Sequence, residues 1–108
     1  MAGTKEDVVL KGCLEYLKAT GYFVWRNNVC CAKIGKRYMR FGLAGSSDII
    51  GIMPDGRFLA VECKREKGGV LTERQISFLT KINLNGGVGI CVKSVEELIT
   101  KLKKIEKK

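Results

Sequence analysis

The chain has 108 residues, 45% of them hydrophobic, which is enough for one cored domain and leaves little room for a second. Twenty Lys and Arg against eleven Asp and Glu give a formal charge of +9, a balance that suits a polyanion such as nucleic acid as partner. With no histidine and no C-x-x-C pair among the five cysteines, a structural zinc site and the Ser/His and Cys/His nucleophile pairs are removed, so any acid-base or metal chemistry rests on Asp, Glu and Lys.

In chain order, Thr4 with Asp7 resembles a capping box, and Val9, Leu10, Cys13, Leu14 and Leu17 form an apolar stripe. This predicts a helix from about Thr4 to Thr20, ended by Gly21. Tyr22 to Asn27 reads as a strand, with Trp25 at a core spacing. Val29 to Ile34 and Arg37 to Phe41 read as a ribbon about Gly35-Lys36. Lys33, Lys36, Arg37 and Arg40, with Tyr38 among them and no acid, make that ribbon a candidate contact for phosphates. A glycine- and serine-rich loop from Gly42 to Ser47 follows. Next comes a hairpin of Asp48 to Met53 and Arg57 to Lys64, closed by Pro54-Asp55-Gly56, a three-residue loop with glycine in the left-handed position.

Thr72 to Asn83 forms the next helix, opened by a second capping-box pattern, Thr72 with Gln75. Gly86-Gly87 breaks it before a short buried strand, Val88 to Val92. Ser94 with Glu97 then caps a last helix carrying Val95, Leu98, Ile99 and Leu102, whose terminal lysines decorate a solvated face. The order α-β-β-β-β-β-α-β-α gives a single mixed α/β domain over residues 1–108, a central sheet flanked by helices. No apolar run approaches the roughly 20 residues needed to span a membrane. The N-terminus lacks a signal-peptide pattern, and the odd cysteine count with Cys30 beside Cys31 is a poor disulfide framework. A cytoplasmic location is expected.

The hairpin loop fixes a register in which Met53 opposes Arg57, Ile50 opposes Ala60 and Asp48 opposes Glu62. Alternation puts Lys64 on the same face as both acids. The remaining residues of both faces are apolar, so the two strands are expected to be buried on both sides. Two carboxylates this close resist joint ionisation, and a divalent cation resolves the conflict; oxygen ligands select Mg²⁺ or Mn²⁺. On spacing alone, an ion pair at a frayed hairpin end satisfies the same pattern equally well. The adjoining Gly/Ser loop and the basic, histidine-free composition favour a metal-dependent phosphodiesterase.

Gly45-Ser46-Ser47-Asp48, the turn, and Glu62-Cys63-Lys64 resemble the G-x-x-D…E-x-K signature of the PD-(D/E)xK nucleases. With Glu6, Leu14-Glu15-Tyr16-Leu17, Trp25-Arg26-Asn27-Asn28, the Phe41-to-Asp48 segment and Gln75, the chain resembles more narrowly a stand-alone virus-type replication-repair nuclease (VRR-NUC) domain. Ala44 stands where that signature usually has proline. The resemblance implies a restriction-endonuclease-like core and phage-like origin, in an infected or prophage-bearing bacterial cell. It implies Asp48, Glu62 and the Cys63 carbonyl as metal ligands, with Glu6 able to join them. Lys64 would hold the attacking water or stabilise charge on the phosphate, and Gln75 would orient Lys64 or the phosphate.

Against these roles, Glu6 could simply favour a first helical turn, and Gln75 could simply cap its helix. Arg26, Ser46 and Ser47 join the ribbon cations as candidate DNA contacts, with shaping of the loop the leading role for the two serines. The substrate implied is branched DNA such as a four-way (Holliday) junction, cut by a two-fold homodimer, with no small-molecule substrate. A noncatalytic basic module that binds nucleic acid is the alternative.

Overall fold

The computed structural model describes residues 4–28 and 30–106, with the backbone alone at residues 30–32, 40 and 41. The expected ribbon start at Val29, the side chain of Arg40 and the last two lysines lie outside the described residues. Helix α1 (Lys5–Ala19) starts from Thr4, whose hydroxyl accepts from Asp7 N while the Asp7 carboxylate accepts from Thr4 N. Two N–H groups that a helix start leaves unpaired are thereby satisfied. Then come β1 (Phe23–Arg26), β2 (Cys30–Ile34), β3 (Arg37–Phe41), β4 (Ile49–Ile52), β5 (Phe58–Cys63), α2 (Glu73–Leu84), β6 (Val88–Val92) and α3 (Val95–Glu106). This is the order expected from the sequence. Among the described residues no helix is long and apolar enough to cross a membrane.

The main sheet is mixed, in the order β1-β4-β5-β6. Antiparallel pairs join β1 to β4 and β4 to β5, while β6 runs parallel to β5. A parallel neighbour requires a crossover, and α2 provides it. Among the described residues, strands β2 and β3 pair with each other and with no strand of the main sheet.

The β4–β5 register is the one the turn dictates. Ile50 opposes Ala60, Met53 N donates to Arg57 O at 2.8 Å, and Gly56 sits at φ 93°. On one face Ile49, Met53, Leu59, Val61 and Cys63 meet Leu10, Cys13 and Leu17 of α1 and Leu98 and Leu102 of α3 to form the core. The other face departs from expectation. Ala60 and Glu62 are buried, but Ile52 is 42% exposed, Phe58 39%, Phe23 68% and Trp25 45%. Helix α2 packs against β5 and β6, the strands it connects, and no described element covers β1 and β4 on that side. Trp25 is therefore a surface residue, its ring 5.6 Å from that of Phe23 between centroids.

Candidate active site

The chemistry-bearing residues gather where the β4–β5 ladder runs out. Ile49 opposite Val61 is the last pair, and Asp48 precedes it. Instead of a backbone carbonyl, Asp48 Oδ2 accepts the next N–H, that of Cys63, at 2.8 Å. A strand residue sends its N–H and C=O to the same side, so the Cys63 carbonyl leaves β5 toward Asp48, whereas Lys64 N donates the opposite way to Val92 O at 2.9 Å.

Glu62 is 3% exposed and Lys64 8%. Glu62 Oε2 accepts from Gln75 Nε2 at 3.1 Å and lies 3.6 Å from Lys64 Nζ. Its Oε1 is buried with no hydrogen-bond partner among the described residues. Burial above all, then the neighbouring Asp48 carboxyl group, push the Glu62 carboxyl up to about 8, while Lys64 pulls it down. Near neutral pH Glu62 therefore retains its proton.

Gln75 does not choose between the two roles open to it. Its Oε1 accepts from Thr72 N at 2.9 Å and its N donates to Thr72 Oγ1 at 3.2 Å, completing the capping box of α2. With the amide oxygen so engaged, Nε2 is the end that meets Glu62. Gly45 allows this approach. It sits at φ +85°, and a Cβ there would lie 2.8 Å from Arg74 Cβ and 2.9 Å from its backbone, so only glycine lets the loop touch the first turn of α2.

Asn27, to which the sequence attached no separate role, holds that loop in place. Its Nδ2 donates to Ser46 Oγ at 2.6 Å and to Ser47 O at 2.9 Å, and its N donates to Asp48 O at 2.7 Å. Only its place in the Trp25-to-Asn28 segment, beside the predicted strand, signalled it.

The other expected residues are distributed around this centre. Arg26, Ser46, Asp48 and Gln75 line one cleft of about 310 Å³, with Arg26 Nη2 3.9 Å from Asp7. Ser46 Oγ also donates to Leu43 O at 2.6 Å. Ser47 is buried at 1% exposure with Oγ unpartnered, a position within the site and beneath the surface that DNA would meet. Glu6 is half-buried in the first turn of α1 and makes no hydrogen bond or ion pair with the site among the described residues; its neighbour Asp7 bonds Thr4 and Arg26. Lys33, Lys36 and Arg37 are exposed on the separate β2–β3 ribbon.

The donor set suits a hard divalent cation. Two neighbouring carboxyl groups, an unpartnered buried Glu62 oxygen and a carbonyl on the same side match the oxygen ligands that Mg²⁺ or Mn²⁺ takes. Among the described residues no cluster of three or more His, Cys, Asp and Glu forms, so water and substrate oxygens would complete the shell, as is usual for Mg²⁺.

No protein-family model matches the sequence, and no curated protein does. Solved structures do. One, "VRR_NUC domain", aligns with a TM-score of 0.69 and 22% identity over 94% of this chain and 97% of its own. Another, "VRR_NUC domain protein", aligns with a TM-score of 0.63 and 16% identity over 96% and 89%. This chain has the VRR_NUC fold. The likeness runs through nearly the whole of each chain, so the central mixed sheet and its three flanking helices are shared. At such identity the VRR_NUC neighbours establish architecture; the assignment of chemistry rests on the residues above.

Proposed function

We propose that this chain is a divalent-metal-dependent nuclease that hydrolyses DNA phosphodiester bonds. The observation that carries the reading is the Asp48–Glu62–Lys64 arrangement, with a buried Glu62 oxygen lacking any partner. The G-x-x-D…E-x-K motif and the VRR_NUC fold both support it.

Asp48, Glu62 and the Cys63 carbonyl would hold Mg²⁺ or Mn²⁺. Bound there, the metal would polarise the phosphate and lower the pKa of water. Lys64 brings an amine to the edge of Glu62, where it can orient the water or meet charge building on the phosphate. Gln75 fixes the Glu62 carboxylate from the opposite element.

By its resemblance to stand-alone VRR-NUC domains the substrate is branched DNA, and a four-way junction has two symmetry-related strands to cut. A two-fold homodimer would supply one site for each. The apolar strip of Phe23, Trp25, Ile52 and Phe58, left bare on the sheet, supports such an association.

The deciding experiment incubates the purified protein with labelled linear, flap and four-way DNAs in Mg²⁺, Mn²⁺ or EDTA. Metal-dependent cleavage that Asp48→Asn abolishes, with DNA binding retained, is the expected result. Binding without cleavage under any metal would make the chain a noncatalytic nucleic-acid module.

A further inference from the structure

A second cleft, of about 570 Å³, lies beside the site and takes no part in the chemistry assigned so far. It begins where β5 ends. Lys64 closes the active site, and Arg65, Glu66 and Lys67 directly after it form one wall. The first turns of α1 and α3 bring Lys5 and the valines Val8, Val9 and Val95, and Lys93 stands just ahead of α3. The first turn of α1 touches residues of both clefts. Its Lys5 reaches this one, and its Asp7 pairs with Arg26 of the cleft that holds Asp48.

Four cations, Lys5, Arg65, Lys67 and Lys93, thus line one opening that begins directly after Lys64. Among the described residues none of the four has an ion-pair partner. Arg65, Lys67 and Lys93 are exposed, so no burial is lost when they turn to a ligand. Glu66 and Glu96 also face the cleft and limit its positive potential without reversing it. Among the described residues no aromatic side chain lines it, so stacking of bases has no platform there. Cations without base-reading groups recognise a backbone and ignore sequence.

We propose that this cleft binds backbone phosphates of the DNA flanking the scissile bond, with Lys5, Arg65, Lys67 and Lys93 holding them. The proposal rests on the nuclease reading and extends it, by giving the substrate a path from the Asp48 cleft across Lys64 to the N-terminal end of α3.

The test is DNA binding in EDTA, followed by anisotropy of a labelled duplex and a labelled four-way junction across a salt series. Lys67→Glu with Lys93→Glu should weaken binding at least tenfold. It should also flatten the log–log salt slope by nearly two, at roughly 0.9 for each phosphate no longer neutralised. Lys103→Glu with Lys104→Glu, an equal charge change at the far end of α3, should leave the slope almost unaltered. Glu66→Gln with Glu96→Gln should tighten binding several-fold, a gain that a misfolded variant cannot mimic. Equal effects of the two lysine pairs, or no tightening without the carboxylates, would overturn the proposal while leaving the nuclease intact. Failure of the wild-type chain either to bind or to cut DNA would remove the nuclease reading, and the proposal with it.

Discussion

A carboxyl group that is 3% exposed can ionise only if something replaces the water it has lost. In Glu62 the amide of Gln75 and the amine of Lys64 replace part of it, and Asp48 works in the opposite direction. Folding raises this carboxyl from 4.5 to about 8. The native state therefore keeps a proton that the unfolded chain has released. Its contribution to stability is complete below pH 4.5 and is lost as pH rises through 8. In EDTA, thermal unfolding should occur at lower temperature at pH 8.5 than at pH 5, and Glu62→Gln should flatten the difference. A Glu62→Gln variant as pH-sensitive as the wild type would mean that another group carries the effect. On the proposed reading added Mn²⁺ would take the place of the proton, so its apparent affinity should rise about tenfold per pH unit up to the Glu62 pKa, as one proton is released per ion. Calorimetry between pH 6 and 8 in two buffers of different ionisation enthalpy would count that proton. Lys64→Ala removes the one charge that lowers the Glu62 pKa, so it should shift the metal-binding profile to higher pH. The loss of an amine beside the phosphate should cost turnover about 100-fold or more at saturating metal. If saturating Mn²⁺ restored full turnover, Lys64 would act on the carboxylates alone.

At the level of elements, the site is a junction between the end of a hairpin, a glycine loop and a helix cap. Gly45→Ala should show how tightly they are joined. A Cβ at φ +85° is strained, and it would meet the Arg74 backbone at 2.9 Å. Loss of about 1–3 kcal/mol is expected, measured by denaturant unfolding, with activity falling further because α2 carries Gln75 away from Glu62. Retention of full activity would mean that α2 is not needed at this distance. The hairpin register was legible because a three-residue loop leaves only one pairing, and that pairing already put Asp48, Glu62 and Lys64 on one face. The capping boxes were legible for a similar reason, since Thr72 and Gln75 are local neighbours. That the same Gln75 also reaches Glu62 was not, because the approach depends on where the crossover lays α2 over the sheet. The bare face was hidden too. Alternation says that Phe23, Trp25, Ile52 and Phe58 share a side, but how far one helix covers that side is a tertiary matter. The separation of the β2–β3 ribbon from the main sheet likewise left no mark in residue spacing.

For the whole molecule, charge and apolar surface lie in different places and so suit different partners. Lys33, Lys36 and Arg37 of the ribbon and the cations of the second cleft are exposed and lack ion-pair partners among the described residues, as a surface awaiting phosphates would be. The apolar strip runs instead across β1, β4 and the start of β5, where four large side chains remain in water. Covering such a strip with its own copy needs no further element and brings two active sites into one particle. The single tryptophan, Trp25, lies within the strip at 45% exposure, so it reports on its burial. Sedimentation over a concentration series should show a dimer, and Trp25 emission should shift to the blue as the dimer forms. Phe23→Ser with Ile52→Ser should shift the equilibrium toward monomer and leave the β4–β5 register, and hence metal binding, intact. On a four-way junction the wild type should then give paired nicks in one complex, and this variant single nicks. A wild-type chain that remains monomeric at all concentrations and on the junction, with Trp25 emission unchanged, would rule out this strip as the dimer face and leave each site to cut one strand alone.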